Sequence, residues 1–168
     1  MLKQYNYTFH PNFGYYSFLT KRQIEYRVAF YEDFTLASCV ANDVEIGQVY
    51  QITIDKISSE PAPFDACVSE TIRNIVSAFF KNIQDALIYI CDDNDKKAYQ
   101  RFYAFDRWYN NSKMTDSVTK LNNIIEFDND EGFLKLHTSL IFHNDNNNVD
   151  NIRLAYDNLR NVMNGDKP

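Results

Sequence analysis

The chain has 168 residues, 45% apolar, 15% aromatic and 24% charged; 17 basic and 23 acidic residues give a net charge of −6. That apolar and aromatic content excludes intrinsic disorder, and four glycines with four prolines exclude a collagenous or linker-like chain. At this length folding buries about 70% of the unfolded surface, enough for one core without covalent staples.

Charge is unevenly distributed. Residues 1–31 carry Lys3, Lys21, Arg22 and Arg27 against Glu25, so the rest of the chain carries −9. An acidic body disfavours nucleic acid as a partner and suits a basic protein, although −6 is also ordinary for a soluble domain. Cys39, Cys67 and Cys91 show no C-x-x-C spacing, so neither a disulfide framework nor a zinc ribbon is expected. Residues 1–7 lack the apolar stretch of a signal peptide, and the longest apolar run, Ala86 to Cys91, is about a third of a membrane span. The expectation is a reduced, cytoplasmic, soluble protein with no membrane contact.

The first half alternates like sheet. Tyr5, Tyr7 and Phe9, then Tyr16 and Phe18, then Ile24, Tyr26, Val28 and Phe30 recur at period two, fitting three half-buried antiparallel strands. His10-Pro11-Asn12-Phe13-Gly14 reads as a turn, as does Thr20-Lys21-Arg22-Gln23. Residues 32–45 read as a long loop, and a fourth strand is expected at 48–57. After Ser58 to Pro63, Asp65 is placed to cap a helix whose stripe is Val68, Ile72, Ile75, Phe79 and Ile83.

Ala86 to Cys91 is apolar on both faces, the pattern of an interior strand covered twice. A second helix is expected at 95–110, with Ala98, Phe102, Phe105 and Tyr109 on its apolar side. Residues 118–127 and 133–143 read as hairpin arms joined through Asp128 to Gly132. A last helix spans 150–163, capped by Asn164-Gly165. The order is β-β-β-β-α-β-α-β-β-α: one α+β domain over 1–165 with a mainly antiparallel sheet and three helices, and a frayed terminus at 166–168.

The acidic run Asp92-Asp93-Asn94-Asp95 follows the interior strand and precedes a helix, where ligands commonly gather beyond strand ends. Asp92 and Asp95 are candidate ligands for Mg²⁺, with Asp93 as a further ligand or base and Arg101 meeting phosphate. The plainer reading is helix capping by the same acids. Spacing excludes an EF-hand, since Lys96, Lys97 and Tyr103 stand where ligands or Gly are needed. Cys91 has acidic sequence neighbours, which disfavour a thiolate. His137 and His143 share a strand face with Ser139 and Ile141, which reads as partly polar sheet and not as a metal site. Lys97, Arg101 and Trp108 fall within about 40° on a helical wheel, a candidate partner-binding face. Tyr5, Tyr7, Tyr15 and Tyr16 beside Lys3, Lys21 and Arg22 offer a stacking platform for single-stranded nucleic acid, against which sheet packing explains the same residues.

With these residues in view, the chain resembles an uncharacterised family of small bacterial proteins, a domain of unknown function. The resemblance rests on Tyr15-Tyr16-Ser17-Phe18-Leu19-Thr20 and Ile24 to Phe30, on Thr71-Ile72 with Phe79-Phe80, and on Tyr89-Ile90-Cys91-Asp92 followed by Asp95, Arg101, Phe105 and Trp108. It spans residues 5–110 and implies no activity. The expected function is an acidic protein–protein interaction module of the immunity or toxin-neutralising type, with no catalysis and no cofactor. The alternative is a metal-dependent phosphoesterase or nucleotide-handling enzyme using Mg²⁺ at the acidic run. The oligomeric state is not legible.

Overall fold

The computed structural model describes residues 3–91, 96–129 and 132–165, with backbone alone at 127–129 and 134. The order of elements is the one read from the sequence: β1 (Tyr7–His10), β2 (Tyr15–Leu19), β3 (Glu25–Glu32), β4 (Val49–Lys56), α1 (Ala66–Phe79), β5 (Ala86–Cys91), α2 (Ala98–Asn110), β6 (Val118–Asn129), β7 (Gly132–His143) and α3 (Val149–Met163). The strands form one sheet in the order β1-β2-β3-β4-β5-β7-β6. Pairs β1–β2, β2–β3, β5–β7 and β6–β7 are antiparallel. β4 and β5 are parallel, which requires a crossover connection, and α1 supplies it. The fold is therefore α+β with a mostly antiparallel sheet.

The turns form where the sequence signals them. Gly14 adopts φ +71°, and its N–H donates to His10 O at 2.9 Å. Between β2 and β3, Thr20 Oγ1 accepts from Ile24 N–H at 3.1 Å.

The chain divides into two compact units. Unit 1 comprises Met1–Tyr31 and Ile52–Lys81; unit 2 comprises Glu32–Gln51 and Asn82–Pro168. In unit 1, Asp65 caps α1 as expected, its Oδ1 accepting from Cys67 N–H at 2.8 Å. Tyr5 fixes the same end, its OH donating to Asp65 Oδ2 at 2.6 Å and its N–H to Thr71 Oγ1 at 2.9 Å. Val68, Ile72 and Ile75 are buried, and Phe79 stacks on Phe30 with centroids 4.6 Å apart. Ile83, read as the next member of that stripe, is 37% exposed. The helix ends at Phe79 and the chain turns before the stripe's next period.

In unit 2, β5 is covered on both faces. Ala86 and Ile88 pack with Leu140, Phe142 and the α3 residues Ile152, Ala155, Tyr156 and Leu159. The opposite face carries Leu87, Tyr89 and Cys91, and Tyr89 stacks on Phe105 of α2 at 3.8 Å. Each fully buried Leu or Ile contributes about 1.5–3 kcal/mol, so this double cover accounts for the apolar run at 86–91. The 32–45 segment, expected as an irregular loop, is anchored in this core. Leu36, Cys39 and Val40 are buried with α3, and Asn158 Nδ2 donates to Cys39 O at 3.1 Å.

Candidate functional site

Asp92, Asp93 and Asp95, the candidate metal and catalytic acids, lie outside the described residues. α2 begins at Ala98 with Lys97 in the N-cap position, no side-chain cap bond and no acid in its first turn. The capping role read for these acids likewise falls on residues outside those described. Lys97 is exposed and Arg101 half-buried. Trp108, also half-buried, lies 5.2 Å from Phe105 and extends the stack begun by Tyr89. The sequence thus places Arg101 and Trp108 on the helix that roofs one face of β5 and β7.

Beneath α2 the structure brings together polar groups that are far apart in the chain. Cys91 and His137 are register partners across β5 and β7, and Tyr89 stands opposite Ser139. On β6, Lys120 and Asn122 occupy the same face, opposite Ile141 and Ser139. Ser139 Oγ donates to Asn122 Oδ1 at 2.9 Å, and Asn122 Nδ2 donates to Asp106 Oδ1 at 2.8 Å. Lys120 Nζ donates to both Asp106 and Asn122 and lies 5.3 Å from the Phe102 ring centroid. Its side chain is only 2% exposed.

Burial depresses the Lys120 ammonium below its ordinary range, and the bonds to Asp106 oppose that shift. For Asp106, burial raises the carboxyl, but hydrogen bonds from Lys120 and Asn122 outweigh it and hold the group below its ordinary value. Tyr89 is pushed far upward, first by burial and then by its bond with the Cys91 side chain; the Arg101 charge pulls the other way. Lys120 was not singled out from the sequence. The signal available to find it was Asp106, one helix earlier and on the face turned to the sheet.

A second feature of unit 2 is a cleft of about 420 Å³ lined by Glu45, Gly47, Gln48, Asn82, Gln84, Asp85, Asn147 and Asn148. Three separate segments meet there. Gly47 holds φ +68°, and an added Cβ would stand 3.2 Å from Gln84 O and 3.3 Å from Asn148 Nδ2, so the close approach requires glycine. Gln48 O accepts from Ala86 N–H at 2.9 Å, Gln84 Oε1 accepts from Asn147 N–H at 3.1 Å, and Asn151 Nδ2 donates to Glu45 O at 2.8 Å. Burial raises the Asp85 carboxyl, only partly offset by a hydrogen bond from Asn82. The sequence reading missed this cleft. Its traces were the Asn-rich run 143–151 and the loop acids Glu32, Asp33, Asp43 and Glu45, with no base in residues 32–51. Unit 2 holds 18 acidic and 10 basic residues, a net charge of −8, whereas unit 1 holds 5 and 7, a net charge of +2.

The tyrosines of unit 1 contact their neighbours. Tyr5 stacks on Phe18, Tyr7 meets Tyr16 edge-on, and Tyr15 carries the Arg27 guanidinium 4.9 Å above its ring. Among the described residues no three His, Cys, Asp or Glu side chains converge, and no helix is long and apolar enough to cross a membrane.

The profile of a family of unknown function (DUF6169) matches residues 64–158, more than half of the chain. That stretch runs from the cap of α1 into α3 and contains the α2 network, whereas the sequence resemblance extended over residues 5–110. No curated protein matches the chain, and no solved structure does.

Proposed function

We propose, for a chain that belongs to this family of unknown function, a protein-binding role in which the acidic cleft of unit 2 accepts a basic side chain of a partner. The observation that carries this reading is Asp85. Its carboxyl is partly desolvated, which a hydrogen bond from Asn82 only partly offsets, and it lines the same cleft as Glu45. A guanidinium or ammonium brought into the cleft pairs with both acids, and the carboxamides of Gln48, Asn82, Gln84, Asn147 and Asn148 supply acceptors for its remaining N–H groups. The net charge of −8 on unit 2 steers a basic partner toward it. The role is binding without turnover, and a toxin-neutralising or immunity-type protein is the version that suits a small acidic chain.

The test is an amide-resolved NMR titration with a blocked arginine tripeptide and, separately, a blocked glutamate tripeptide. The arginine peptide should shift Gly47, Gln48 and Gln84, and Glu45→Gln with Asp85→Asn should abolish the shifts. Equal responses to both peptides, or none at millimolar concentration, would sink the reading.

A further inference from the structure

We infer that the apolar cavity between the β2–β3 turn and the segment leading into α1 docks an acidic segment of a partner protein, one large apolar side chain of which enters the cavity. The cavity lies wholly within unit 1 and measures about 410 Å³, the small end of the range for ligand pockets and room for one aromatic or branched side chain. Ile24, Tyr26, Ala62, Phe64 and Val68 form its apolar wall. Ile24 and Val68 are buried, whereas Phe64 is 80% exposed, an apolar ring that an entering side chain covers.

Charge is the independent observation. Lys21 and Arg22 are both exposed, and neither has an ion-pair partner among the described residues. The turn that carries them is closed on itself, Thr20 N–H donating to Ile24 O at 3.0 Å and Gln23 N–H to Thr20 O at 2.9 Å. Thr20, Arg22 and Ile24 all line the cavity, so the cations are held at its rim. Lys3 adds a third exposed cation two residues before Tyr5, whose hydroxyl donates to Asp65.

Asp65 is the acid of the lining, and both its oxygens are engaged: Oδ1 accepts from Cys67 N–H and Oδ2 from Tyr5. An entering apolar side chain therefore leaves neither oxygen without a partner. The carboxylates of the docked segment stay on the rim against Arg22 and Lys21, while its apolar side chain packs on Ile24 and Val68. A basic segment meets the same cations and is repelled. The net charge of +2 on unit 1 favours an acidic partner segment, where unit 2, at −8, favours a basic one.

The test is a methyl- and amide-resolved NMR titration of the full chain with a blocked Asp-Phe-Asp tripeptide, beside blocked Lys-Phe-Lys and Asp-Ala-Asp tripeptides. The first should shift the Ile24 and Val68 methyls and the Thr20 and Arg22 amides, and the other two should bind at least about tenfold more weakly. Arg22→Glu should weaken Asp-Phe-Asp binding at least about tenfold, and added salt should weaken it in the wild type. Ala62→Trp, at an exposed position, should fill the cavity and abolish the methyl shifts in a folded chain. Silent Ile24 and Val68 methyls at millimolar peptide, equal affinity for the acidic and lysine-flanked peptides, or binding unchanged in Arg22→Glu or in Ala62→Trp overturns the site. A short oligothymidylate that shifts the same residues more strongly than Asp-Phe-Asp puts a nucleic acid in place of the acidic segment and overturns it equally.

Discussion

Unit 1 brings many of its aromatic rings into contact and only half-buries its Arg73–Glu70 ion pair, whereas unit 2 buries a lysine, a histidine and a thiol under one helix. The difference follows from what covers each face. In unit 1, short β1 and β2 leave Phe9 48% exposed beside Tyr16, and the cap of α1 is tied by hydrogen bonds to Tyr5 and to the Cys67 amide. In unit 2, the long β6–β7 hairpin presents Lys120, His137 and Ser139 to α2, where a polar group left without a partner is costly. Unit 1 is the more forgiving of polar change, and unit 2 the less.

The largest effects should separate the two most sharply. Leu140→Ala opens a cavity at a fully buried position of unit 2 and should cost about 2–5 kcal/mol. Phe9→Ala in unit 1 removes a half-exposed ring and should cost under about 1 kcal/mol. Denaturant unfolding measures both, and equal losses would erase the contrast. Next comes the buried pair. Asp106→Ala strands the Lys120 ammonium and should cost about 3 kcal/mol, while Asp106→Leu with Lys120→Met should recover most of that loss. A double variant no better than the single would show that the pair is not the source of the cost.

The smallest effect concerns pH and carries opposite signs in the two units. The hydrogen bond from Tyr5, opposed by burial, holds the Asp65 carboxyl below its ordinary value. Its contribution is present above the ordinary carboxylate range and disappears as pH falls through the lower folded value. Asp65→Ala should therefore cost about 1 kcal/mol at neutral pH and progressively less in acid. Asp85 is raised by burial, so its ionised form is a penalty at neutral pH that vanishes as pH falls through the folded value. Asp85→Asn should stabilise slightly at neutral pH, with a gain that shrinks in acid. Thermal unfolding from neutral to acid pH reads both, and slopes of the same sign would contradict the assignment.

The order of all ten elements was legible because local pattern decided it. Alternation marked β1 to β4, Asp65 marked the start of α1, and the all-apolar run 86–91 marked a strand covered twice. Ile83 was misplaced because periodicity carries no stop signal, and the helix ended before the stripe did. The α2 network was not legible, since Cys91 meets His137 only through the register of β5 against β7. Lys120 was given no role because the sequence does not say which arm of a hairpin lies under a helix. The cleft at Glu45 and Asp85 joins segments about forty and sixty residues apart, a separation no local pattern spans.

The packing of residues 36–40 against α3 has a consequence for synthesis. Leu36, Cys39 and Val40 complete their apolar cover only when residues 149–163 have emerged. At about 5–20 residues per second, translation leaves that segment without its cover for roughly 6–25 s. During that interval it is a short, greasy stretch of nascent chain within reach of holdase chaperones. Residues 1–31, by contrast, wait only for the chain to reach Lys81.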